Sequence, residues 1–220
     1  MTDTLGLARL MTWLSPVFPT GGFAYSSGLE AAAASGSVTD ATELNEWLAG
    51  SLQHGALRND AIIFAEAWRR HDDGQALADL ADLALALASS HGRHLEMTAQ
   101  GNAFVAALAN WPDMRALALP DPCSLSVAVG AAAGFSKIDP EAALTAMLQS
   151  TINAQLQAAI RLSLIGQNEA AVSMSALEAL IVGAAEAAAR STLDDLGNAA
   201  FMADIMAMKH EGLSGRMFRT

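Results

Sequence analysis

Residues 14–30 read LSPVFPTGGFAYSSGLE, and they interrupt a chain that is otherwise rich in alanine. Pro16 and Pro19 fix their own φ angles and disfavour a helical conformation in the residues that precede them. The glycine pair at 21–22 permits backbone angles that other residues adopt only at a cost. We expect burial of the aromatic residues of this Pro/Gly segment to hold it in one conformation; they are Phe18, Phe23 and Tyr25. The segment is also consistent with an ordinary helix–helix connection.

The rest of the chain has the composition and periodicity of helices. Hydrophobic residues make up 52% of the sequence and aromatic residues only 5%, so the core is aliphatic and alanine-rich. Helix starts are predicted at Asp40 and at Asp139-Pro140, and the second helix extends to Ile165. Gly130 and Gly134 are spaced to allow close approach of a neighbouring helix. No stretch of the sequence keeps the alternation of apolar and polar residues that is typical of a strand. We therefore predict an all-α fold, a single-domain multi-helix bundle of about ten helices over residues 1–208.

Charge and cysteine content exclude several classes of function. The chain has 12 basic and 23 acidic residues, a net charge of −11, which disfavours nucleic acid as a partner. Cys123 is the only cysteine, so an internal disulfide and a cysteine-based zinc site are both excluded. The N-terminus lacks the pattern of a secretory signal, and the uncharged run 142–160 is too polar to span a membrane. We therefore expect a cytoplasmic protein without membrane contact.

No catalytic or metal-binding pattern stands out. There is no GxxxxGK[ST] phosphate loop, and Ser15, Ser26, Ser27 and Cys123 have no assignable base. His91 and His94 are three residues apart with Glu96 nearby, but two histidines without a third ligand are weak evidence for a metal. We predict that the chain is not an enzyme and has neither a cofactor nor a stable metal site.

Residues 209–220 differ from the rest of the chain. They hold three of the 12 basic residues, two glycines, and the apolar pair Met217 and Phe218. This composition is typical of a frayed terminus. It is equally typical of a cationic hook that orders against a partner. We predict a flexible C-terminal tail that binds a partner.

Three segments together resemble the UreF family of urease accessory proteins. Residues 14–30 are similar to the family's N-terminal signature, and 161–167 (RLSLIGQ) to the end of one of its later helices. The tail is similar to the family's terminal His-Glu followed by Arg-Leu-Phe-Arg-Ser. Met217 replaces the leucine and Thr220 the serine, while residues 89–96 follow the family pattern only loosely. The order and separation of the three segments match across nearly the whole chain.

The resemblance implies an all-helical, dimeric nickel-metallochaperone scaffold. Such a protein binds a second accessory protein, UreD (also called UreH), and the pair recruits the GTPase UreG. The assembly then loads nickel into apo-urease, so that nickel is handled by the complex and no catalysis is expected of this chain. The expected partner-binding residues are Pro19, Gly22, Phe23, Tyr25, Ser26, Glu30, His210, Glu211, Arg216, Phe218 and Arg219.

Three hypotheses for the mode of action follow. In the first, the tail docks on the UreD-like protein, with Arg216 and Arg219 pairing with acids and Phe218 filling a pocket, while the Pro/Gly segment faces the GTPase or the dimer mate. In the second, the chain stimulates GTP hydrolysis with a mobile arginine, either of those two or, more weakly, Arg93. In the third, it carries nickel itself through His91, His94 or His210.

Overall fold

A computed structural model describes residues 4–220 of the chain. Over that range the secondary structure is ten α-helices joined by turns and short 3-10 segments, with no strand. The helices are α1 (Thr4–Trp13), α2 (Leu29–Ala34), α3 (Ala41–His54), α4 (Ala56–Arg69), α5 (Gly74–Ala86), α6 (His91–Leu108), α7 (Leu125–Phe135), α8 (Pro140–Arg161), α9 (Gln167–Arg190) and α10 (Phe201–His210). The prediction of an all-α, single-domain fold is confirmed.

Helix α7 lies at the centre of the bundle, and its residues from Ser126 to Gly134 are all buried. It contacts α4, α5, α6 and α8. A Cβ atom added at Gly130 would lie 2.4 Å from the carbonyl oxygen of Phe64, and one at Gly134 would lie 2.4 Å from that of Trp68. The two glycines therefore let α4 and α7 pack backbone to backbone, as their spacing predicts.

The predicted start of α8 is confirmed, and its predicted end is wrong. The Asp139 carboxylate accepts a hydrogen bond from the amide of Ala142 (3.0 Å), and Pro140 is the first helical residue. The helix ends at Arg161 and not at Ile165. Ser163 adopts a left-handed conformation with φ 61°, and its amide donates to the Ile160 carbonyl (3.0 Å), which closes the last turn.

Helix α9 packs with one face along α8 and α3. Among residues 4–220 it is the one helix long and apolar enough, by length and composition, to cross a membrane, and only 28% of its most apolar window is buried. Its exposed surface includes Glu178 and Glu186. A charged side chain near the centre of a spanning helix costs about 3 kcal/mol. The two carboxylates therefore favour water or another protein as the surroundings of this face.

Candidate partner-binding surface

The Pro/Gly segment is held to the bundle by an aromatic cluster. Phe18 is 8% exposed, and its ring centroid lies 5.3 Å from that of Phe104 and 5.9 Å from that of Trp111. Tyr25 is also buried. Phe23, by contrast, is 76% exposed because it lies in a 3-10 turn at the surface, Gly22–Ala24, in which no residue is buried. The expected burial is confirmed for Phe18 and Tyr25 and is wrong for Phe23.

Residues 211–220, hereafter the strap, lie folded along the Pro/Gly segment. The amide of Arg219 donates to the Ala24 carbonyl (2.8 Å), and the amide of Ser26 donates to the Thr220 carbonyl (2.7 Å). Phe218 is 4% exposed and Thr220 is 3% exposed. The sequence predicts a flexible tail here, whereas the structure shows a segment packed against its own domain. That the tail binds a partner stays a prediction.

Glu30, in the first turn of α2, holds the last residue of α10 and two residues of the strap. Its Oε2 atom accepts hydrogen bonds from His210 Nε2 (2.7 Å) and the Phe218 amide (3.0 Å), and its Oε1 atom accepts one from the Met217 amide (2.6 Å). Burial tends to raise the pKa of Glu30, but the bonds from Met217, His210 and Phe218 outweigh it and hold the pKa below its usual value. The carboxylate is therefore charged at neutral pH.

Glu96, on α6, holds the end of the strap. Its Oε2 atom accepts a hydrogen bond from the Thr220 hydroxyl (3.2 Å), and its Oε1 atom accepts one from the Ser27 hydroxyl (2.9 Å). Glu96 also pairs with Arg93 (3.4 Å), which in turn pairs with Asp60. Burial would lower the pKa of Arg93, but the two carboxylates outweigh it and raise that pKa. Arg93 is thus a fixed structural cation, which makes it unsuitable as a mobile catalytic arginine.

The three segments that carry the family resemblance meet at Arg161. This arginine, at the end of α8, donates from Nη1 to the Phe23 carbonyl (2.5 Å). Its guanidinium carbon also lies 4.2 Å from the centroid of the Phe218 ring, in cation–π geometry. In this arrangement Phe218 occupies a site in its own domain. That it fills a pocket on a partner stays a prediction.

Burial divides the predicted partner-binding residues into two groups. Tyr25, Ser26, Glu30, His210 and Phe218 are buried, and Gly22 is partly buried. Five others are exposed: Pro19, Phe23, Glu211, Arg216 and Arg219. In this arrangement only the exposed residues can contact a partner directly, and that role stays a prediction. The buried residues position the exposed ones.

An exposed apolar face on α10 is absent from the sequence-based predictions. Phe201 (68% exposed), Met202 (55%), Ile205 (43%) and Met208 (50%) have the spacing of one helix face. Met206 is buried on the other face, at 3% exposure. The sequence does contain an indication of this exposed face, because α10 has more apolar residues than one buried face requires. Met217 of the strap is also exposed.

A groove of about 360 Å³ separates the Pro/Gly segment from α8. Pro16 and Phe23 line one wall, and Asn153 and Gln157 of α8 line the other. Asp60, Arg93 and Glu96 also line the groove. The Phe23 ring, which lines the groove, is among the exposed parts of the Pro/Gly segment.

The titratable groups give little support for metal or nucleophilic chemistry. Within residues 4–220, no group of three or more His, Cys, Asp or Glu side chains could hold a metal ion. His91 and His94 are exposed, whereas His210 is engaged with Glu30. Burial, with a smaller contribution from Asp121, raises the pKa of the Cys123 thiol to about 12, so the thiolate nucleophile is not formed at neutral pH.

Comparisons with known proteins agree with the resemblance. Residues 38–178 match the family model for UreF. The chain is 48% identical over 223 residues to the urease accessory protein UreF of Mesorhizobium japonicum, covering 100% of both chains. It is also 48% identical to the proteins of that name from Brucella ovis (99% of this chain, 95% of the relative) and Allorhizobium ampelinum (99% and 98%). The full-length matches include the Pro/Gly segment and the strap, which lie outside the family model. The chain belongs to the UreF family of urease accessory proteins.

Proposed function

We propose that the chain is a non-catalytic, cytoplasmic adaptor in urease maturation. It binds a UreD/UreH-like accessory protein, and the pair recruits a UreG-like GTPase so that nickel is inserted into apo-urease. Family membership supports the accessory role. The exposed apolar face of α10 is the observation that supports binding of a partner at this end of the bundle. Glu30 holds the end of that helix in place.

The chemistry of this surface fits a UreD-like partner with an apolar patch bordered by acids. The chain is acidic overall, with a net charge of −11, yet Lys209 of α10 and Arg216 and Arg219 of the strap that follows it are all exposed. Interfaces combine an apolar centre with a polar rim, and exposed arginines are frequent anchors. The apolar side chains of α10 would form the centre, and the three cations part of the rim.

The groove beside Phe23 is the second surface that we propose for partner binding. It is distinct from α10 and offers an exposed aromatic ring next to polar side chains of α8. We assign it to the GTPase or to a second copy of this chain. An adaptor needs separate faces for separate partners, and this groove provides one.

Co-purification with the cognate UreD-like protein tests the first surface. Phe201→Asp places a charge in the apolar face of α10 without touching the strap, and it should abolish co-purification. Val172→Asp on α9 is the matched control, because Val172 is similarly exposed at 61% but lies on another face. If Phe201→Asp co-purifies as well as the unmodified chain, α10 is not the binding surface.

The alternative function is stimulation of the GTPase by a mobile arginine. Arg216 and Arg219 are exposed, and no acidic side chain within residues 4–220 pairs with either. An inserted arginine accelerates GTP hydrolysis by about 10³-fold or more. Rates measured with the purified GTPase, with and without the chain and its Arg216→Ala and Arg219→Ala variants, separate the two functions. An unchanged rate with the unmodified chain rejects the alternative.

A further inference from the structure

We propose that a pocket between α4 and α9 binds a medium-chain fatty carboxylate, whose alkyl chain lies against aliphatic side chains and whose carboxylate pairs with Arg58. The pocket has a volume of about 340 Å³, and small-molecule sites typically have roughly 300–1,000 Å³. Within residues 4–220 its lining comes from α3, α4, α8, α9 and Ser191, and Leu57 is the one residue that it shares with the groove beside Phe23. The pocket is therefore separate from both surfaces of the proposed function, and the inference goes beyond that function.

The body of the pocket is aliphatic. Leu52 of α3, Ile62 of α4 and Leu148 of α8 line it and are buried. On α9 the lining residues extend from Leu180 to Ala188, about 12 Å along the helix at roughly 1.5 Å per residue. A pocket of this volume and length suits one unbranched alkyl chain and is too small for a lipid with two long chains. We therefore take decanoate as a ligand of matching size.

Small residues of α9 leave this space open. Gly183, Ala184 and Ala187 occupy three of the lining positions, and a Cβ atom added at Gly183 would meet nothing within 4 Å. An alkyl chain placed against this wall would remove its own apolar surface and that of the pocket from water, which favours binding. Because the space beside Gly183 is open, a larger side chain at that position would fill it.

Arg58 supplies a cation in the pocket lining. It is partly buried, and its Nη1 atom donates to the carbonyl of Asp195 (2.6 Å). No acidic side chain within residues 4–220 forms an ion pair with it. An arginine has five N–H donors and commonly binds a carboxylate through two parallel bonds. One unpaired positive charge beside an aliphatic pocket is complementary to the single negative charge and the apolar chain of a fatty carboxylate.

Titration calorimetry of the full-length protein with octanoate, decanoate and decanol, each below the concentration at which it forms micelles, tests the site. Decanoate should bind saturably with one molecule per chain. It should bind about tenfold more tightly than octanoate, because two further CH₂ groups are buried. Decanol, which has the same chain without the charge, should bind at least about tenfold more weakly. Absence of saturable decanoate binding, or equal affinities for octanoate and decanoate, overturns the proposal.

Two variants locate the ligand. Gly183→Leu fills the pocket with a residue that favours a helix, so it should abolish decanoate binding and leave the fold intact. Ala171→Leu is the matched control, because Ala171 is exposed on the same helix but is not among the lining residues. Arg58→Gln should weaken decanoate binding at least about tenfold and leave decanol binding unchanged, a split that a purely structural role of Arg58 would not produce.

The outcomes that contradict the proposal are distinct. Undiminished decanoate binding by Gly183→Leu overturns the site, and this includes binding at the exposed face of α10 instead. An equal effect of Arg58→Gln on decanoate and decanol overturns the contact between Arg58 and the carboxylate. If decanoate does not bind and Gly183→Leu converts a dimer into a monomer, the pocket is an interface between two copies of the chain, and the ligand assignment is wrong.

Discussion

At the scale of single residues, the structure depends on a few buried or partly buried charges that are paired with one another or hydrogen-bonded. Glu30 and Glu96 hold the strap, and Arg93 is paired with both Glu96 and Asp60. Breaking a buried pair leaves its partner uncompensated, so single substitutions here should have large effects.

Glu30 should make stability depend on acid pH. Its pKa in the folded state lies below the usual value of 4.5, so its contribution is fully present above that value and is lost as pH falls through the folded pKa. Glu30→Gln should therefore be less stable than the unmodified chain at pH 7, with a gap that narrows below about pH 4.5. Urea-unfolding midpoints measured from pH 7 to pH 3.5 check this. A gap that stays constant in acid contradicts it.

Arg93→Met should destabilise the fold by about 3–5 kcal/mol, because Asp60 and Glu96 would then lose their shared cation. Arg115→Met is a suitable control, since Arg115 is exposed and its side chain donates a hydrogen bond to the carbonyl of Ala109 (3.1 Å). Chemical unfolding of the three proteins measures the difference. Equal stability of the two variants would show that the buried cluster contributes little.

At the scale of helices and segments, the starts of helices could be predicted from the sequence, but the contacts between distant segments could not. Asp40 and Asp139 cap their helices as predicted, because capping involves neighbours in sequence. The docking of the strap could not be predicted, because Glu30 and His210 are 180 residues apart. A lone carboxylate in the apolar run Leu29–Ala34 was the available hint that a partner from elsewhere was needed.

The close contact of α4 and α7 gives a prediction about elements. Gly130→Ala would place a methyl group 2.4 Å from the Phe64 carbonyl, so the helices must separate, at a cost of about 1–3 kcal/mol or more. Gly183→Ala on α9 meets nothing within 4 Å and should instead stabilise by about 0.5–1 kcal/mol. Thermal unfolding of both variants compares them. Destabilisation of equal size would contradict the packing argument.

At the scale of the whole molecule, the residues that stabilise the fold and the residues available to a partner lie in different parts of the bundle. The core around α7 is buried, whereas the apolar face of α10 and the Phe23 ring beside the groove are exposed at the surface of the bundle. The all-α class followed from composition and periodicity. The exposed face of α10 could not be predicted in the same way, because an apolar residue in a helix can be either buried or exposed. The packing of the other helices decides which of the two it is.

We propose that the chain supports urease maturation by binding a partner through α10. The most direct test is urease activity in host cells that lack the gene, complemented with the unmodified chain, Phe201→Asp or Val172→Asp, each present at the same level. We predict that the unmodified chain and Val172→Asp restore urease activity and that Phe201→Asp does not. Full activity with Phe201→Asp, or in cells without the chain, would contradict the claim.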